Sequence, residues 1–447
     1  MVAVAIGCNR LHAETDQIHP ARKALYMKIL LVAFGSHGDV QPIISLGKGL
    51  HEAGYEVVLA AGEDFQQHVE GAGLTFRSID VNIEAMIKTD LGKEWLDGSS
   101  HNPLQELANM RQMAEENAEA INRTLFRVTA DADVIISGLL TLPSLVAIGQ
   151  AHNKPVIASW LSPFPVTRDG RAIIQQPPFP HRTSILNRLY GYVVYAIFWG
   201  VFDKLTNQTH QQLGLPSVGR SDFFRVINQT PSICGFSEWV IPRPADWGPQ
   251  HHITGYWYSP ASDAWSPSPE LRAFLDAGEP PVYMGFGSMA SKNPQATAQL
   301  MIDALQQANQ RGIILTGWGD LKADDLPESV FLLDYAPHSW LFPQMAGVVH
   351  HGGAGTTAAA LRAGVPSMIV AHMGDQPYWG QRVFDLGVGA APLRRHTLTT
   401  EKLAEGITTL VTDRQMRQEA ARLGEHLQSE TGVANAVAAV KSIVRPN

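Results

Sequence analysis

From Val348 to Arg382 the chain reads VVHHGGAGTTAAALRAGVPSMIVAHMGDQPYWGQR, and its residue types and spacing suggest phosphate chemistry. A short apolar strand, Ala346 to Val349, leads into the turn Gly352-Gly353-Ala354-Gly355, followed by Thr356, Thr357 and an alanine-rich helix. Glycines there let the backbone take positive φ and come close to a ligand. The helix start offers unpaired N–H groups and a partial positive charge, which together suit a phosphate. A second strand, Pro366 to Val370, runs into the polar set His372, Gly374, Asp375 and Gln376. In a parallel α/β sheet both loops fall at carboxyl ends of strands, where such sheets bind ligands. A phosphate cradle beside a carboxylate and an amide is expected to hold a phosphorylated, hydroxyl-rich molecule. A nucleotide sugar is the natural candidate.

Glycosyl transfer from such a donor has three requirements. A base must take the acceptor proton, the sugar must be held in line, and the departing diphosphate must be stabilised. Helix N-terminal amides with the hydroxyls of Thr356, Thr357 and Ser288 suit the last task without a metal. Ser288 belongs to a second glycine turn, Phe286-Gly287-Ser288-Met289, after the strand Pro281 to Gly285. His350 and His351 resemble a metal pair, but adjacent residues at a strand end point to opposite faces. No Asp-x-Asp handle lies nearby, so no metal and no bound cofactor is expected.

The elements that must position these groups follow a β/α rhythm. Lys28 to Phe34 is a fully apolar strand of the kind a buried parallel sheet uses. The turn Gly35-Ser36-His37-Gly38-Asp39-Val40-Gln41-Pro42 follows it, then an amphipathic helix to about Ala53. Two glycines there suggest a dinucleotide fingerprint, but the third is absent and NAD is disfavoured. Further strands are expected at Tyr55 to Ala61, Asp133 to Ser137, Pro155 to Ala158 and Ser232 to Trp239. A long polar helix spans Pro103 to Ala130, and an apolar, aromatic helix spans Ile185 to Phe202. That apolar run is shorter than a membrane span needs, so it is expected to line a core, a cleft or a membrane surface. Alternation of this kind argues doubly wound parallel sheets in two domains. The boundaries expected are a flexible leader 1–26, a first domain 27–240, a Pro/Trp/Gly-rich linker 241–268, a second domain 269–425, and a carboxy-terminal helix 426–447 that packs back on the first domain.

Composition bounds the class. The 447 residues suffice for two domains, and 45% hydrophobic with 17% charged residues fits a soluble globular protein. A net charge of −8 without a Lys/Arg cluster leaves no footprint for nucleic acid. Two cysteines, Cys8 and Cys234, suggest neither a disulfide framework nor a Cys-based metal site, and a reducing cytoplasm is the expected compartment.

The stretch HHGGAGTT, continued by LRAGVP and GDQ, resembles the donor-binding signature of family 1 glycosyltransferases of the GT-B fold. It is most similar to the sterol glucosyltransferases and to bacterial enzymes that glycosylate antibiotic aglycones. The resemblance implies two Rossmann-like domains facing across a cleft. It assigns His351 and the Gly352 to Thr356 turn, with Gly353 and Gly355, to the diphosphate, and Asp375 and Gln376 to the donor sugar's hydroxyls. Tyr335 and His338, in Tyr335-Ala336-Pro337-His338, join the donor site; Tyr335 stands where plant relatives have tryptophan, and Ala359 where they have a ribose-binding glutamate. The family places its catalytic residue three positions before a proline, which here is Asp39 before Pro42. His37 is the alternative base, nearer in ordinary pKa, and the two acting jointly is a third option. The acceptor region of the sterol enzymes resembles SWLSPFPVTR and the aromatic helix, which nominates Trp160, Phe164, Tyr195 and Trp199.

The expected reaction is therefore inverting, metal-independent transfer of glucose from UDP-glucose to a hydroxyl of a hydrophobic small molecule: sterol-like, terpenoid or polyphenol. Alternatives are a dTDP-sugar enzyme acting on polyketide or glycopeptide antibiotics, and a nucleotide-sugar epimerase. Eukaryotic sterol enzymes add amino-terminal membrane-targeting domains that this sequence does not show, so only weak association with a membrane surface is expected.

Overall fold

The computed structural model describes residues 27–445, apart from 36, 81–102, 176, 259–264, 288–292 and 316–325. The expected leader and the candidate donor residue Ser288 lie outside the described residues. Strands β1 (Lys28–Val32), β2 (Glu56–Ala61), β3 (Thr75–Ser78), β4 (Val134–Ser137), β5 (Val156–Trp160), β6 (Ser232–Cys234) and β7 (His251–Ile253) form one sheet in the order β3-β2-β1-β4-β5-β6-β7. Strands β8 (Val282–Gly285), β9 (Gly312–Leu315), β10 (Val330–Leu333), β11 (Gly347–His350), β12 (Ser367–Ala371) and β13 (Leu393–Arg394) form a second, in the order β10-β9-β8-β11-β12-β13. Every pairing is parallel. Strands covered by helices on both faces must be apolar throughout, and β1, β4, β8, β11 and β12 are buried almost end to end.

The chain direction across each sheet reverses between β1 and β4, and again between β8 and β11. Loops diverge at such points and leave a crevice at the strands' carboxyl ends. The described residues that follow β1, β8 and β11 open there, which places Gly35, Gly287 and Gly352 to Gly355 at the two crevices.

One expectation is corrected. The stretch 241–268, read as a linker because of its Pro, Trp and Gly, contributes β7, whose His251, His252 and Ile253 pair with Ser232, Ile233 and Cys234. His251 is buried, hydrogen-bonded to Ser232 Oγ at 2.8 Å and to the Asn228 carbonyl at 3.1 Å, so the edge of the first sheet extends into that stretch. Breaker residues mark the turns on either side of a three-residue strand too short for periodicity to reveal.

The two halves share packing. One apolar cluster contains Trp160, Phe223 and Phe236 from the first and Leu361, Trp379 and Val383 from the second. Polar links cross beside it: Arg382 Nε donates to the Val240 carbonyl at 2.5 Å, and Ser237 Oγ to Glu430 Oε1 at 2.5 Å. The last helix, Gly432–Val444, leaves the second half and buries Ala436, Ala439 and Val440 in the core around β1 and β2. It seats against the helix His37–Glu52 at Gly49, where a methyl group would stand 2.2 Å from Val433 Cγ1.

Valine is stiff at χ1 and cannot swing away cheaply. Gly49→Ala is therefore expected to destabilise the fold by about 1–3 kcal/mol, despite alanine's better helix propensity. Urea midpoints should show Gly49→Ala/Val433→Ala to be more stable than Gly49→Ala alone; an additive loss would mean that the helix does not dock there.

Candidate active site

The centre of the crevice is a contact between two helix starts. The helix His37–Glu52 begins just after β1, and Ala354–Ala363 begins just after β11. A Cβ added to Gly355 would lie 2.9 Å from the Gly38 oxygen and 3.3 Å from its Cα, so the two turns meet backbone to backbone. Pro42, inside the first helix, has no N–H to give the Gly38 carbonyl its helical partner, which leaves that oxygen at the interface. Thr357 Oγ1 donates back to the Gly353 carbonyl at 2.9 Å and ties off the second turn, and Thr356 is half-buried beside it.

Asp39 is exposed at the third position of its helix. Its carboxylate folds back over Gly35, with Oδ2 2.3 Å from where a Cβ on Gly35 would sit. Gly35 has φ +147°, and a side chain there would evict the carboxylate. An acid in the first turn also faces the helix's positive end. His37 stacks on Phe65, ring centroids 6.0 Å apart, and meets the edge of His68 at 5.2 Å. Burial and the neighbouring His68 hold it below the ordinary histidine pKa, so it is a neutral, basic imidazole at pH 7. Phe65 and His68 lie on the segment after β2 and carry no motif; spacing gave no signal for them.

Opposite stand more histidines. His338 stacks on Phe342 at 4.3 Å; burial, with His37 and His351 nearby, pushes its pKa down to about 4. The His351 ring is wedged between Gly287 and Gly353, with Cε1 3.0 Å and Nε2 2.6 Å from the Cβ positions those glycines lack. Its Nδ1 is buried without a hydrogen-bond partner among the described residues, and burial lowers its pKa to about 4. His350 faces the other way, fully buried, and accepts from the Gly352 N–H through Nδ1 at 3.1 Å. His372 donates through Nδ1 to the Val370 carbonyl at 3.0 Å, and burial drives its pKa to about 3. Among the described residues no three His, Cys, Asp or Glu side chains are grouped to hold a metal ion.

Asp375 and Gln376 sit where β12 runs into the helix Gln376–Asp385, but much of their capacity is already used. Asp375 Oδ2 accepts from Ser162 Oγ at 2.6 Å, across the interface, and from Trp379 Nε1 at 2.9 Å. Gln376 Oε1 accepts from the His372 and Met373 amides at 2.7 and 3.0 Å, closing the turn. Ser162, Trp379 and Tyr378, whose hydroxyl donates to the Arg171 carbonyl at 2.7 Å, are the positioning residues that the motif did not disclose. Tyr335, just after β10, is 57% exposed.

The aromatic residues nominated for the acceptor require correction. Trp160 is fully buried, and Tyr195 and Trp199 are 6% and 8% exposed, all in the shared core. Tyr195 and Trp199 pack on Phe223 at 6.1 and 5.6 Å, because the helix Ile185–Gln212 turns its aromatic face inward. Phe164 packs on Trp160 at 5.0 Å and is only half-buried. Amphipathicity was hard to read because both faces of this helix are apolar.

Comparison with known proteins agrees with this architecture. Residues 29–166 match the glycosyltransferase family 28 N-terminal domain, and residues 301–442 the erythromycin biosynthesis protein CIII-like C-terminal domain. A sterol 3-beta-glucosyltransferase of Arabidopsis thaliana is 33% identical over 431 residues, 92% of this chain and 65% of that protein. O-mycaminosyltylonolide 6-deoxyallosyltransferase of Streptomyces fradiae is 34% identical over 417 residues, 92% of this chain and 96% of that protein. The chain thus spans about two thirds of the plant sterol enzymes it matches, and 30% of the Emericella nidulans one. The crystal structure of CalG4, the calicheamicin glycosyltransferase, superposes with a TM-score of 0.69 at 17% identity, covering 94% of this chain and 98% of that one. Matched at both ends and along nearly its whole described length, the chain belongs to the GT-B glycosyltransferases, in the family that includes sterol and macrolide glycosyltransferases.

Proposed function

We propose that this glycosyltransferase moves glucose from UDP-glucose to a hydroxyl of a hydrophobic, sterol-like small molecule, with inversion and without a metal ion. The observation that carries the reading is the contact of Gly355 with Gly38, which brings the base candidates against the donor turn. Two helix N-termini meeting there are mutually repulsive until an anion joins them. A diphosphate laid on the Gly352–Thr356 turn is favoured by that field, and His351 Nδ1 offers it a buried group in need of a partner. Asp375, held by Ser162 and Trp379, is the acid that would orient the sugar.

In this reading Asp39 takes the acceptor hydroxyl's proton. The oxygen attacks the anomeric carbon, and the carbon–oxygen bond to the diphosphate breaks on the opposite face. UDP leaves with the bonding pair onto the helix amides and Thr356. His37 is the alternative base, and its depressed pKa keeps it competent at neutral pH. Sterol preference draws on the 30% and 33% identical plant enzymes. A second reading, a dTDP-deoxysugar donor and a macrolide acceptor, is favoured by the Streptomyces fradiae relative, which this chain matches over 96% of its length.

UDP and dTDP release from the two glucose donors, with sterols, flavonoids and macrolides as acceptors, tests both. Sterol-dependent UDP release giving a β-glucoside is expected; macrolide-dependent dTDP release alone would install the second reading. Asp39→Asn should lower turnover about 10²–10⁴-fold with UDP binding intact, and an equal loss of both would remove Asp39 as base. Gly355→Ala forces the turns apart and should cut kcat/KM by roughly tenfold or more, with overpacking costing the fold only about 1–3 kcal/mol.

Acid should destabilise the protein through its neutral histidines. His338 and His351 titrate at about 4 when folded, against 6.5 as the ordinary value. The unfolded chain therefore binds more protons in that window, and stability falls as pH drops from 6.5 toward 4. Urea midpoints across those pH values check this; a midpoint that does not fall contradicts it.

A further inference from the structure

The helix Ile185–Gln212 is the longest among the described residues, and among those residues one face of its first half is left exposed. Asn187, Gly191, Tyr195, Trp199 and Phe202 are buried against the body of the first domain. The opposite face carries Ile185, Leu186, Leu189, Val193 and Ile197, each between 49% and 58% exposed. Their spacing of three to four residues makes one stripe along about four turns. Lone exposed apolar residues need no explanation, but an aligned series of five does.

Charge says what covers it. The protein carries −8 overall, yet from Ile185 to Phe202 the only charged residue is Arg188. Arg182 is exposed just before the stripe, and Lys204 is exposed two turns beyond Ile197 on the same face. The first acid, Asp203, lies 3.9 Å from Arg111. Half-buried Tyr190 and Tyr192 flank the stripe. An apolar stripe bordered by cations and tyrosines, with its back fixed in a core, has the layout of a helix that lies in a lipid interface. The helix is long and apolar enough by composition to cross a membrane, but its buried face belongs to the protein core.

The stripe is coupled to the cleft. Buried Asn187 donates through Nδ2 to the Arg168, Phe179 and Arg182 carbonyls, pinning the preceding loop to the helix. That same loop supplies Ser162 to Asp375 and the Arg171 carbonyl to Tyr378. The exposed stripe and the loop that meets Asp375 and Tyr378 are therefore one connected piece.

We propose that the exposed face of Ile185–Gln212 docks the enzyme on anionic lipid bilayers, with Leu186, Leu189, Val193 and Ile197 entering the interface and Arg182, Arg188 and Lys204 meeting phosphates. A hydrophobic acceptor dissolved in that bilayer then lies beside the cleft.

Co-sedimentation of the full chain with phosphatidylglycerol and with phosphatidylcholine vesicles tests this without any donor, so the outcome is independent of the proposed reaction. Strong binding to the anionic vesicles only is expected. Each of Arg182→Gln and Arg188→Gln should weaken it about fivefold, and Leu189→Glu/Val193→Glu should abolish it. Unchanged melting of these variants certifies the fold. No sedimentation with phosphatidylglycerol would overturn the proposal. So would a dimer in light scattering that Leu189→Glu/Val193→Glu splits, because the face would then belong to a second copy of the chain.

Discussion

The approach of Gly355 to Gly38 is the constraint around which the molecule is built. Only glycine lets two helix starts touch through their backbones, and only two sheets whose switch points face each other can deliver them there. The arrangement concentrates partial positive charge in a crevice already lined by imidazoles. Burial keeps those rings neutral, since adding whole charges beside two helix N-termini would cost more than the site can repay. The crevice is thus electropositive by dipoles rather than by side chains.

The interface is held by groups that also shape the site. The Asp375 carboxylate accepts from a serine of the other half, Gln376 spends its carbonyl on its own turn, and the Arg171 carbonyl takes the Tyr378 hydroxyl. Residues that a motif marks as ligand-binding are here structural. A carboxylate fixed by two donors at 2.6 and 2.9 Å has little rotamer freedom left. The carboxy-terminal helix completes the frame by crossing back to bury Ala436 and Val440 among the strands β1 and β2.

Several features were legible from residues alone because the physics is local. Apolar strands that alternate with helices specify parallel sheets, and a glycine turn between strand and helix leaves helix N–H groups unpaired. The two parallel sheets and the glycine turn after β11 were readable for that reason. Phe65 and His68, which hold His37, and Ser162 and Trp379, which hold Asp375, were not, since they approach from distant segments and carry no motif.

What the sequence determined by itself was the repertoire: two doubly wound units, glycine turns at the ends of β1 and β11, and an unusually apolar helix. Tertiary structure decided the orientations. Three residues in the 241–268 stretch became strand β7 because the edge of β6 was open to pairing. Trp160, Tyr195 and Trp199 went into the core and left aliphatic residues outside, because a helix apolar all round has no moment to say which face turns inward. That choice falls to the neighbours it packs against, here Phe223 with its cluster and the loop carbonyls that take Asn187.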